Sequence, residues 1–280
     1  MVKFTVELCL FFGVLIFCVS CKTQLVQSEV ISTSDVTDHD ITLKTKQICI
    51  DDLGYLYLIS SQNELRQYDP NLIQRQAYSN ERLGSITSID TNNPLKLLLF
   101  YENYQTIIVL DNFLDEIGRY ELFDLGFNEI IAVGKSNDNN IWIYDPIDYK
   151  LKKINTAGNL LVESITMYNE GLEYIRPTFL AEKGNKVFLY DSIHGFFVFD
   201  NLGQYLYKIP LTRLKSFQIV NEETIVFIND DMVQAYDLVY KTTRTFKPLK
   251  DYSKRDIQDM VISNKFIYLR DAQGVAKKPI

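Results

Sequence analysis

A chain of 280 residues with 46% hydrophobic and 13% aromatic content carries enough apolar mass for one large all-β domain, and it excludes extended disorder. Eighteen Tyr and 17 Phe against a single Trp suit many half-buried strands rather than helices. The formal net charge of −7 argues against a general nucleic-acid binder, because the phosphate backbone rewards clustered Lys and Arg.

Residues 1–20 stand apart from the rest. Lys3 precedes an apolar run over residues 8–19 (LCLFFGVLIFCV), shorter than the roughly 20 residues a comfortable transmembrane helix needs, which predicts a secretory signal peptide. The next residues, Cys18-Val19-Ser20-Cys21, resemble the lipobox of bacterial lipoproteins, where small residues precede a Cys that becomes the lipidated first residue after cleavage. The resemblance implies a lipid on Cys21, with two departures: Cys18 stands where Leu is usual, and Glu7 precedes the apolar core. An ordinary cleaved signal and an uncleaved anchor are the alternative readings. Lys22 follows Cys21 where some bacteria place an inner-membrane retention Asp, so the resemblance implies outer-membrane anchoring. No acidic cluster of the kind linked to surface display in some Bacteroidetes follows, which implies the periplasmic leaflet. With Cys9 and Cys18 in the signal and Cys21 lipidated, Cys49 is the remaining thiol, so no intrachain disulfide is expected and Cys49 reads as a small buried hydrophobe in a strand.

Residues 21–39, rich in Ser, Thr and Asp and without a sustained apolar period, read as the lipidated Cys and a flexible tether. From residue 40 to 280 the chain reads as strand after strand with an internal repeat. Residues 54–79, 95–122, 140–166, 186–211 and 224–249 align as units of three short strands, each closing its middle strand with Asp69, Asp111, Asn155, Asp200 or Asp237. These positions are spaced by 42, 44, 45 and 37 residues, the period of four-stranded blades. Each reads as a turn-former whose side chain accepts from backbone two residues on. An innermost strand is expected before each unit, over residues 47–50, 86–89, 129–133, 177–181 and 217–220. A sixth unit starts at residue 259 and supplies three strands, and residues 40–45 (DITLKT) are expected to add its fourth, closing the ring and removing a long free edge. The clearest unit, residues 186–211, places Phe188, Phe197 and Phe199 as packing between blades. The fold expected is therefore an all-β, six-bladed β-propeller of four-stranded antiparallel blades, rather than an irregular sandwich or barrel. Its run FVFDNLGQYLYKI, residues 197–209, resembles propellers of the NHL and YWTD kind, in which an aromatic strand, an Asp, a Gly turn and another strand recur.

Catalytic motifs are not found. His39 falls in the tether and His194 in a strand turn, and the sequence has no G-x-S-x-G, H-E-x-x-H, phosphate loop, paired C-x-x-C motifs or dinucleotide fingerprint. No cofactor is expected. Asn137 to Asn140 and Asn229 to Asp231 offer oxygens suited to Ca²⁺ but read more simply as turns.

Binding residues belong to loops held by a rigid scaffold, which directs attention to the connections between blades and the loops sharing their face. Candidate partner or ligand contacts there are Arg82, Tyr168, Glu170, Tyr174, Arg176, Asp191, His194, Arg213, Tyr252 and Arg255. Residues 168–176 (YNEGLEYIR) form the longest insertion, and their Tyr, Glu and Arg content suits a contact surface or a plug over the channel. The function expected is a non-catalytic, lipid-anchored envelope protein whose propeller docks another envelope protein, as in an outer-membrane assembly or export machine. A small-ligand or glycan binder, with Tyr168, Tyr174 and Tyr252 stacking on sugars, is the alternative, and a propeller lyase or lactonase is a third.

Overall fold

The computed structural model describes residues 40–167, 174–230, 232–248, 256–263 and 265–280, which form six antiparallel sheets. Blade 1 is β1 (Thr45–Ile50), β2 (Leu56–Ser60), β3 (Leu65–Tyr68) and β4 (Gln74–Tyr78), hydrogen-bonded in that order. Blade 2 is β5 (Ser88–Asp90), β6 (Leu97–Tyr101), β7 (Thr106–Leu110) and β8 (Glu116–Glu121). Blade 3 is β9 (Ala132–Lys135), β10 (Ile141–Asp145), β11 (Lys150–Ile154) and β12 (Leu160–Glu163), and blade 4 is β13 (Phe179–Lys183), β14 (Lys186–Asp191), β15 (Gly195–Asp200) and β16 (Tyr205–Ile209). Blade 5 is β17 (Phe217–Asn221), β18 (Thr224–Asn229), β19 (Met232–Asp237) and β20 (Thr242–Pro248), and blade 6 is β21 (Asp259–Ile262), β22 (Phe266–Arg270) and β23 (Val275–Pro279).

Six apolar clusters hold the ring, one at each junction between neighbouring blades. Alternate residues of one strand serve opposite junctions: Val187 and Leu189 of β14 pack toward blade 3, whereas Phe188 and Tyr190 pack toward blade 5. This explains why the middle strands read as unbroken apolar runs, since both of their faces are covered. The outer strands alternate instead, as in β8, where Gly118 and Tyr120 are half-buried and their neighbours exposed. Phe188, Phe197 and Phe199 are all fully buried between blades, and each such side chain contributes about 1.5–3 kcal/mol of transfer free energy.

The recurring Asp or Asn residues are turn-formers. Asp69, Asp111, Asn155 and Asp200 each accept from the backbone N–H groups two and four residues on, and Asp237 accepts from Val239 and Tyr240. The first residue of β15 must be glycine: Gly195 has φ +90°, and a Cβ there would collide with the Ile209 carbonyl oxygen.

Two details differ from the sequence expectation. The inner strands β5, β9 and β13 begin two or three residues later than the apolar signal suggested; ahead of β5 and β9, Ile86 and Ile130 are buried as loop plugs in the junction clusters rather than as strand residues. Closure by the N-terminal segment takes place, but it contracts to one bridge, Ile41 with Val275, with Asp40 and Ile41 N–H donating to the Val275 carbonyl and Val275 N–H donating to Ile41. Geometry limits its length. The chain must cross from the rim of blade 6 to the innermost strand of blade 1, three strand spacings or about 14 Å, between Ile41 and Thr45, a nearly fully extended path. The junction is reinforced by Lys277, whose Nζ donates to the Pro70 carbonyl at 2.6 Å and sits 4.1 Å from the Phe266 ring centre.

Candidate functional site

Because successive strands alternate in direction, the loops after every second strand and the connections between blades emerge together on one face, here termed the loop face. Side chains clamp these loops to one another. Gln105 both accepts from Ile130 N–H and donates to the Ile130 carbonyl, each at 2.8 Å, tying blade 2 to the connection leading into blade 3. Asn63 clamps the preceding connection, accepting from Ile86 N–H and donating to the Gly84 carbonyl. The Asp148 carbonyl accepts from the Thr166 hydroxyl and the Tyr149 carbonyl from Met167 N–H. These clamps fix loop backbones that would otherwise have few partners.

Asp191, at the end of β14, organises the loop of blade 4. It is buried, and its carboxylate accepts from the N–H groups of Arg176, Ile193 and His194 and lies 2.9 Å from His194 Nδ1. Burial alone would raise its pKa, but these hydrogen bonds outweigh it and hold the carboxyl below the ordinary range. Arg213, with φ +55°, donates its N–H to the Ser192 carbonyl at 2.7 Å. The structure thus brings Arg176, Asp191, His194 and Arg213 together around one loop, with exposed Tyr174 just ahead of Arg176. Asp191 is itself 2% exposed, so it supports the loop from beneath and does not present its carboxylate at the surface. Arg82 lies apart, exposed on the connection between blades 1 and 2, its N–H held by Asn80. Tyr168, Glu170, Tyr252, Arg255 and Cys21 lie outside the described residues.

Some of the surface residues on this face were named from sequence, and Tyr104, Ile147, Ile165 and Ile193 were not. Arg176 reaches Glu102 of blade 2 at 3.8 Å. Tyr104, Phe123, Ile147, Ile165, Tyr174 and Ile193, all exposed, follow the loop face over blades 2, 3 and 4. Phe123 and Tyr174 belong to connections already marked as candidates, while Ile147 and Ile193 sit at turn tips (Pro146-Ile147-Asp148 and Ser192-Ile193-His194), where an apolar residue among turn-formers was the available signal. On the opposite face, Leu53, Pro94, Leu95 and Phe113 edge a smaller groove of about 230 Å³ between blades 1 and 2.

A cavity of about 960 Å³ occupies the central channel and is lined by the inner strands. Carboxylates from one blade cap N–H groups on the inner edge of the next: Asp90 accepts from Lys135 N–H at 2.8 Å, and Asp259 accepts from Ile48 N–H at 3.1 Å and from the Ser216 hydroxyl at 2.8 Å. Burial pushes both carboxyls above their ordinary pKa. Cys49 lines this channel and is half-buried rather than enclosed in a core; burial, then the nearby Asp259 and Asp90, push its thiol up and keep it protonated. Among the described residues no group of three or more His, Cys, Asp or Glu is arranged to hold a metal ion.

No family model and no curated protein sequence matches the chain. Solved structures do. The WD40 domain of Neurospora crassa Pan2 is similar at 10% identity with a TM-score of 0.54, covering 85% of this chain and 80% of that one. A catalytically inactive virginiamycin B lyase from Staphylococcus aureus, determined with quinupristin, is similar at 12% identity and a TM-score of 0.56 over 85% and 81% of the two chains. The extracellular domain of a hybrid two-component system from B. thetaiotaomicron aligns at 14% identity and a TM-score of 0.52, covering 82% of this chain and 33% of that one. These likenesses show the propeller fold, which hosts many unrelated activities.

Proposed function

We propose that the chain is a non-catalytic, lipid-anchored protein of the bacterial cell envelope whose propeller docks another envelope protein on its loop face. The observation that carries the reading is the crescent of exposed apolar side chains over blades 2–4, from Tyr104 through Phe123 and Ile147 to Ile193, interleaved with Arg176, His194 and Arg213. Apolar anchors amid a polar, partly charged surround are the composition of protein contact surfaces, and clamped loops lower the ordering entropy that binding costs. The lipid on Cys21 and the outer membrane facing the periplasm rest on the resemblance of residues 18–21 to a lipobox. Membrane fractionation tests the anchor, with release of the Cys21→Ala protein expected and its retention in membranes pointing to an uncleaved apolar anchor. Co-purification from mildly solubilised membranes tests docking, with a stoichiometric envelope partner expected; recovery of the protein alone contradicts it.

A further inference from the structure

The central channel has the size and chemistry of a small-molecule site. Its volume of about 960 Å³ falls at the upper end of the roughly 300–1,000 Å³ typical of ligand pockets. One wall is aromatic and already ordered. Phe179 and Phe217, from blades 4 and 5, meet edge to face at 5.1 Å, and Phe217 is buttressed by Tyr190 at 4.6 Å and Phe196 at 4.9 Å. Across the channel, half-buried Cys49, Ile50 and Ile262 from blades 1 and 6 continue the apolar lining.

The buried charges of this channel are held by the protein itself. Asp259 is held by Ser216 and Ile48, Asp90 by Lys135 and Asn92 backbone N–H groups, and Lys183 by Asp52 at 3.5 Å. In the interior of the channel a charged ligand would lose its hydration and gain no free counter-ion, whereas a neutral one loses little and buries apolar surface. The Asp52–Lys183 pair and the Asn92 amide, which donates to the Glu182 carbonyl at 3.3 Å, cross from blades 1 and 2 to blade 4 and strap the mouth opposite the loop face. The mouth at the loop face is lined by Thr87, Thr178 and Gln258, with Lys46 exposed at its rim and Lys215 paired with Asp256 at 2.5 Å.

We propose that the channel binds a neutral, ring-bearing amphipathic small molecule, admitted from the loop face and seated on the Phe179–Phe217 wall. The inference stands apart from the docking reading, since it uses the interior and not the loop tips. The probe is N-phenyl-1-naphthylamine, compared with its sulfonated analogue anilinonaphthalene sulfonate, by fluorescence titration of the full chain. Saturable binding at one probe per chain is expected, at least tenfold tighter than for the sulfonate. Ser88→Trp and Val220→Trp each place an indole in the channel from half-buried or exposed lining positions, and each should weaken the probe at least tenfold while thermal unfolding stays within a few degrees of wild type. Val220→Trp carries the test if Ser88→Trp does not fold. Lack of saturable binding, equal affinity for the sulfonate, or unchanged affinity in the folded channel variants overturns the proposal.

Discussion

Asp259 shows how much a single side chain does at the axis of the ring. Its carboxylate caps Ile48 N–H of blade 1 and accepts from Ser216 ahead of blade 5, so three blades meet on one group, and Ser216 in turn accepts from Met260 N–H. Asp259→Ala leaves a buried donor unsatisfied and should cost about 2–4 kcal/mol, read as a lower midpoint in chemical unfolding; a change below about 0.5 kcal/mol would contradict the capping role. Asp191 acts through the opposite pKa shift. A carboxyl depressed in the folded state contributes stability that is complete above its unfolded pKa of about 3.9 and fades as pH falls toward the folded value. Between about pH 5 and pH 3 the wild-type midpoint should therefore drop further than that of Asp191→Asn, measured by thermal unfolding at matched ionic strength. Parallel pH profiles would remove Asp191 as the organiser of its loop.

Among the elements, the closing segment is the one most sensitive to sequence. Blade 6 has three strands, and its outer strand β23 is completed only by the bridge at Ile41, a residue 7% exposed. Ile41→Asp should lower stability by about 3 kcal/mol, through lost burial and a charge set against Val275 and Tyr268. An unchanged unfolding midpoint would mean that the ring closes without this segment. The strands and their turns were legible in the sequence because both signals are local: unbroken apolar runs report strands covered on two faces, and an Asp or Asn before each outer hairpin reports a turn. The inner-strand starts were less legible, since Ile86 and Ile130 look like strand residues and are held in place by the side-chain clamps of Asn63 and Gln105. The contracted closing strand could not be read at all, because the distance it must cross is a property of the assembled ring. The same holds for the candidate site. Arg176, Asp191, His194 and Arg213 could be placed on the correct loops from strand order, but their convergence on one loop, and the pairing of Arg176 with Glu102, join residues of blades 2 to 5 that no spacing connects.

At the scale of the whole molecule, six junction cores make a rigid ring that presents two faces and an axial channel, and the three surfaces carry different chemistry. The loop face holds apolar tips among charged residues, the opposite face holds the groove beside Leu53 and Phe113, and the channel sets an aromatic wall beside buried carboxylates. The central claim is that the loop face is the docking face of an envelope protein. Site-specific photo-crosslinking in intact cells tests it most directly, with the reactive residue placed at Tyr174 on the loop face or at Phe113 on the opposite face. The account predicts one discrete adduct from Tyr174, found in the membrane fraction and containing an envelope protein, and none from Phe113; an adduct from Phe113 alone, or from neither position, would contradict it.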